Sequence, residues 1–132
     1  MRKMQKIIIL FILLSPFTAF AAGEGQSLRG IADEIYRLSE EMVHHGGEGH
    51  TDEIVQYGEK MVERIAVLIK RIQGIDQLKG SRQEIIVSLT LTRDKTEEAI
   101  RLGKKNLELA YQAARKASFQ AKKSRQKIHA LP

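Results

Sequence analysis

The chain of 132 residues has no cysteine and no tryptophan, and its only prolines are Pro16 and Pro132. Without thiols there is no disulfide staple, so stability must come from helix packing. The missing sulfur also removes the soft ligands, which leaves nitrogen and oxygen donors for any metal site. No apolar run approaches the roughly 20 residues that cross a bilayer as a helix. The sequence holds no His-Glu-x-x-His, no Cys-x-x-Cys, no Ser/His/Asp set, no phosphate loop and no paired carboxylates suited to acid–base work, so a binding protein is expected rather than an enzyme.

What is present begins with a leader. Arg2, Lys3 and Lys6 precede the unbroken apolar run Ile7 to Leu14, Ser15 and Pro16 end it, and Ala19-Phe20-Ala21 has the small–x–small form of a leader-peptidase site. A secretory signal over residues 1–21 is therefore expected, followed by one domain over 22–132 and a periplasmic location. No cysteine follows the run, which excludes a lipid anchor, and eight apolar residues give no stable membrane insertion once the signal is cut.

Charge is unevenly spread. The formal +6 falls to +3 without Arg2, Lys3 and Lys6. Gly23 to Gly80 holds 7 basic and 11 acidic residues, net −4, whereas Ser81 to Pro132 holds 12 basic and 5 acidic, net +7. A basic half often meets nucleic acid or anionic membrane surface. For an exported chain nucleic acid is not expected, and the plainer expectation is an acidic hairpin lying against a basic one.

Between Ser27 and His45, Leu28, Ile31, Ile35, Leu38 and Met42 recur at three- and four-residue steps, the seam of an amphipathic helix, with Asp33, Glu34, Arg37 and Glu41 left for water. Gly46 is placed to stop that helix in the left-handed conformation. Thr51 is the expected N-cap of a second helix, with Asp52 and Glu53 favourable at its positive end, and Ile54, Met61, Ile65, Leu68 and Ile72 continue the stripe to Gly74. Ser81-Arg82-Gln83-Glu84 has the spacing of a capping box. The run 85–92 after it is β-branched enough to be a strand, but no second strand is available to pair with it, so a third helix is expected. A fourth helix, Leu107 to about Ile128, presents Ala110, Ala114, Ala117 and Ala121 for close packing, with Tyr111 and Phe119 as bulk. The segment Glu40 to Gly46 recurs 57 residues later as Glu97 to Gly103, each copy closing a helix. Two duplicated helical hairpins predict an all-α, up-down four-helix bundle.

Between the first two helices lies His44-His45-Gly46-Gly47-Glu48-Gly49-His50-Thr51-Asp52-Glu53, with three of the four histidines. Neutral imidazole ligates Cu(II), Ni(II) and Zn(II), and two or three imidazoles with a carboxylate in a glycine-rich turn can surround an ion. The candidate ligands are His44, His45, His50, Glu48 and Glu41, with Glu40 and Asp52 as further oxygens. The affinity order favours Cu(II). The helical beat turns His45 to the packed side and His44 about 100° away.

The turn His45-Gly46-Gly47-Glu48-Gly49-His50-Thr51-Asp52 resembles the repeated His-Gly-x-Glu-Gly-His turn of the small metal-binding protein family (SmbP-like), exported histidine-rich four-helix bundles that bind divalent metals, copper among them. The likeness is close from Glu40 to Arg64 and looser over the remaining chain. It implies periplasmic metal binding or buffering without catalysis, with His45 and His50 matching the family's histidines and Glu48 beside them. Tyr57, Arg64, Leu102 and Asn106 stand where the family would place histidine, so the resemblance implies at most one such site.

His129 is expected as an exposed histidine at a helix end. Its rival role, a haem ligand paired with methionine, is disfavoured because Met42 and Met61 fit the core, and covalent haem is excluded by the lack of Cys-x-x-Cys-His. The alternative to a metal binder is an exported interaction bundle with a decayed site, whose basic C-terminal hairpin meets an acidic partner or a membrane surface.

Overall fold

Ser27 caps the first helix: its backbone is extended and its Oγ accepts the Gly30 N–H at 2.9 Å. The computed structural model describes residues 26–132; the expected signal and its cleavage point after Ala21 lie outside them. Helix α1 runs Leu28–Gly47, α2 Thr51–Gln73, α3 Gly80–Gly103 and α4 Leu107–His129, with a short 3₁₀ turn at Asp76–Leu78 between α2 and α3. Among the described residues there is no strand. The β-branched run 85–92 is helical, as the need to pair every backbone group requires.

The helices form a ring in which α1 packs on α2, α2 on α3, α3 on α4 and α4 back on α1, with only a slight diagonal contact between α2 and α4. Three-residue turns at 48–50 and 104–106 make each hairpin antiparallel. This is the expected up-down bundle. None of its helices is long and apolar enough to cross a membrane.

The two hairpins fill the interior differently. Ile31, Ile35, Leu38 and Met42 of α1 and Ile54, Met61, Ile65, Leu68 and Ile72 of α2 are all buried, each such side chain contributing about 1.5–3 kcal/mol on leaving water. The second hairpin adds small residues: Ala110, Ala113, Ala114, Ala117 and Ala121 from α4 let α3 and α1 approach closely. Ser88, Thr92 and Ser124 form a buried hydroxyl cluster, with Ser124 Oγ 2.8 Å from Ser88 Oγ and 3.0 Å from Thr92 Oγ1. Thr92 and Thr96 also donate to the Ser88 and Thr92 carbonyls at 2.9 and 2.7 Å, so these buried hydroxyls are satisfied.

Four sequence expectations are corrected. Gly46 and Gly47 remain inside α1, and the left-handed residue is Gly49 (φ 87°). Gly46 is glycine for space, since a Cβ there would stand 3.0 Å from Ile54 Cδ1 and 3.1 Å from Tyr111 Cδ2. Thr51 is the first residue of α2 and His50 takes the N-cap position. Ser81 is no cap: α3 already starts at Gly80 behind Lys79, whose φ of 46° makes the break. The other half of that expected capping box, Glu84, is drawn across to Lys127 of α4, and the ammonium holds its carboxyl below the ordinary range. Phe119 supplies no bulk to the interior; it is 57 % exposed, whereas the Tyr111 ring lies over Gly46 and Gly47.

Charge pairs join helices, both between and within the hairpins, where the sequence placed solvent. Asp33 of α1 accepts from Arg125 Nε and lies 2.7 Å from both that atom and His129 Nε2 of α4. Arg64 Nε donates to Glu34 at 3.0 Å, tying α2 to α1. His129 is therefore an exposed helix-end histidine with a carboxylate partner, and Met42 and Met61 are both core residues.

A candidate metal centre at the first turn

The end of α1 is a Schellman motif. With Gly49 left-handed, its N–H bonds to the Gly46 carbonyl at 3.2 Å and the His50 N–H reaches back to the His45 carbonyl at 2.9 Å. In this motif the residue after the left-handed one packs on the residue five before it, usually as an apolar contact. Here those two residues are His45 and His50. Their Nδ1 atoms are 3.4 Å apart and their rings stack at 5.7 Å with a 29° tilt.

The third member comes from helix α2. His50 is its N-cap, so Glu53 occupies the N3 position, from which a carboxylate reaches back over the cap residue. One oxygen, Glu53 Oε2, lies against His45 Nδ1 and 3.7 Å from His50 Nδ1. That oxygen is buried and accepts no hydrogen bond. His45, His50 and Glu53 each offer one ligand atom, all within 4.8 Å of one another.

Tyr57 braces the site from one turn further along α2. Its ring is nearly parallel to that of His45, 9° apart with centroids at 5.5 Å. Glu48 sits at the rim, with Oε2 3.6 Å from His45 Nδ1 and 3.5 Å from His50 Nδ1, and Glu41 Oε2 is 3.6 Å from His45 Nε2. Three carboxylates thus surround one imidazole, a field that favours a cation. His44 lies outside the converging donors: its side chain is 64 % exposed and pairs with Glu48 Oε1 at 3.3 Å, while its ring meets that of His45 edge-on with centroids 5.3 Å apart.

Of the five residues chosen from sequence, the turn brings His45 and His50 together, keeps Glu48 and Glu41 alongside, and turns His44 outward. Glu53 was read only as a helix-dipole charge. The signal that finds it is the spacing His50-x-x-Glu53 once His50 is known to be the cap.

Two imidazole nitrogens and a carboxylate oxygen all present lone pairs when these nitrogens are unprotonated, and a bound cation would relieve their convergence. Two donors each about 2.0–2.1 Å from a tetrahedral ion stand roughly 3.3–3.4 Å apart, which is the spacing of the two Nδ1 atoms. His45, His50 and Glu53 could together hold a metal ion. No family model, curated protein or solved structure matches the chain.

Proposed function

We propose that this protein is an exported, periplasmic binder of a divalent metal ion, which it takes up at His45, His50 and Glu53 and buffers without acting on it chemically. The observation that carries the reading is the buried Glu53 Oε2, which has no hydrogen-bond donor and faces two imidazole nitrogens. A buried carboxylate oxygen left without a partner costs free energy that a bound cation would recover. Glu48 and Glu41 act around the ion by orienting His45 and by drawing cations to the turn. The likeness of residues 40–64 to the small metal-binding protein family points the same way.

Cu(II) is the ion with the highest intrinsic affinity for such nitrogen and oxygen donors, while the spacing of the two imidazole nitrogens suits a tetrahedral ion such as Zn(II); Ni(II) completes the set. Calorimetric titration of the metal-free protein with each ion tests the reading. Saturable binding with one ion per chain is expected, weakened at least a hundredfold by His45→Ala plus His50→Ala. Binding that the double substitution leaves intact would remove the turn from the site. Failure of all three ions to bind below millimolar concentration would leave an interaction bundle with a decayed centre.

A further inference from the structure

The metal turn makes no use of the opposite hairpin, whose α4 displays an arrangement of its own. Among the described residues Phe119 is the most exposed of the large apolar side chains, at 57 %. On a helix the surface neighbours of a residue lie three and four positions away. For Phe119 those four positions are Arg115, Lys116, Lys122 and Lys123, all exposed, so an aromatic ring stands inside a quartet of cations. Lys123 Nζ lies 4.6 Å from the ring centroid. The ion pairs of α4 are made by Arg125, Lys127 and His129, not by these four.

The face continues onto α3. Lys95 joins Arg115, Lys116 and Phe119 in lining one shallow groove of about 650 Å³. Leu91 and Val87, one and two turns before Lys95 on the same side of α3, are 45 % and 49 % exposed. Glu98 pairs with Lys95 Nζ at 3.4 Å, and among the described residues none of the four α4 cations is held in an ion pair.

From this placement we infer that the α3–α4 face docks peripherally on an anionic bilayer surface, with Phe119 entering the headgroup boundary and Arg115, Lys116, Lys122 and Lys123 meeting lipid phosphates. The inference is independent of the metal reading. Charge complementarity selects the partner, since two copies of this face would repel. The exposed apolar groups Phe119, Leu91 and Val87 lie beside these cations, the mixture of apolar and basic side chains that suits the boundary of an anionic bilayer. Cations flanking a buried ring can extend their stems and keep their charged heads at the phosphates. None of the four helices described is long and apolar enough to span a bilayer, and the contact inferred is one of surface adsorption.

Co-sedimentation with vesicles tests it, using phosphatidylcholine alone and phosphatidylcholine mixed with phosphatidylglycerol. The protein should sediment with the mixed vesicles at low salt and stay in solution with phosphatidylcholine alone. Lys116→Gln with Lys123→Gln should weaken partitioning about 25-fold, about fivefold for each charge. Phe119→Ser should weaken it about tenfold, as expected when a phenyl group no longer leaves water. The circular dichroism of both variants should match the parent, since these side chains are exposed. No sedimentation with phosphatidylglycerol vesicles would overturn the proposal, as would a Phe119→Ser protein that partitions like the parent. Soluble polyglutamate that binds as tightly as the vesicles, and equally to Phe119→Ser, would assign the face to an acidic polymer and overturn it too.

Discussion

Replacing Glu53 with glutamine should move stability in opposite directions with and without metal. In the metal-free protein the substitution removes a charge from a buried oxygen that has no donor, a group whose orphaning costs about 1–3 kcal/mol. The gain is cut because the Glu53 side chain as a whole is 38 % exposed. Against it stands the loss of a carboxylate from the first turn of α2, worth about 0.3–1 kcal/mol. The two nearly cancel, and glutamine adds an amide donor that an imidazole nitrogen can accept, so metal-free Glu53→Gln should be equal to the parent or more stable by up to about 1 kcal/mol. With ion present at a hundred times its dissociation constant the parent gains about 2.7 kcal/mol, or roughly 10–20 °C in Tm for a domain of this size. Loss of a ligand should weaken binding no less than the 10- to 100-fold seen for supporting residues. A hundredfold loss at the same ion concentration leaves about 0.4 kcal/mol, or about 2–3 °C. Thermal melts followed by circular dichroism, with and without metal, read both numbers. A Glu53→Gln protein that is clearly destabilised without metal yet keeps the full metal-dependent rise would refute the reasoning and make Glu53 a structural charge.

Three further outcomes follow from the geometry. Gly49→Ala should cost about 1–2 kcal/mol from backbone alone, because φ is 87° while a Cβ would meet nothing closer than Leu107 Cδ2 at 3.8 Å; it should weaken metal binding as well, and a titration equal to the parent's would show that the left-handed turn is not what pairs His45 with His50. Gly58→Ala gains up to about 1 kcal/mol in helix propensity but drives a Cβ to 2.6 Å from Ile100 Cγ1, an overpacking cost of about 1–3 kcal/mol, so its urea midpoint should fall; a rise would mean that Ile100 moves aside freely. The Arg125 guanidinium, helped by His129, holds the Asp33 carboxyl below its ordinary value despite some burial. A carboxyl depressed by folding stabilises the native state above its unfolded pKa and loses that contribution as pH falls through the folded value, so Asp33→Asn should flatten the acid limb below about pH 4 and cost less than about 1 kcal/mol at neutral pH, the pair being half exposed. An acid limb unchanged by the substitution would remove Asp33 from the account.

The bundle was legible because burial repeats at helical spacing: of the ten apolar seam residues read in α1 and α2, nine are buried, and Leu28, at the start of α1, is partly buried. The strand-like run 85–92 was resolved by an argument about unpaired backbone groups rather than by propensity, which pointed the other way. Phe119 was misplaced although the wheel already held the answer: it lies two positions, about 200° around the helix, from Ala117 of the buried stripe. Glycines were harder to read, because glycine serves space as well as backbone conformation, and nothing in Gly46-Gly47-Glu48-Gly49 says which residue serves which. The choice decides the function. Were Gly46 left-handed, a Schellman closure would set Met42 against Gly47, a contact with no chemistry. With Gly49 in that place the same rule sets His45 against His50, and the next helix, now starting one residue earlier than its threonine suggested, swings Glu53 in beside them. Three residues of register in one turn separate a plain bundle corner from a set of converging metal donors.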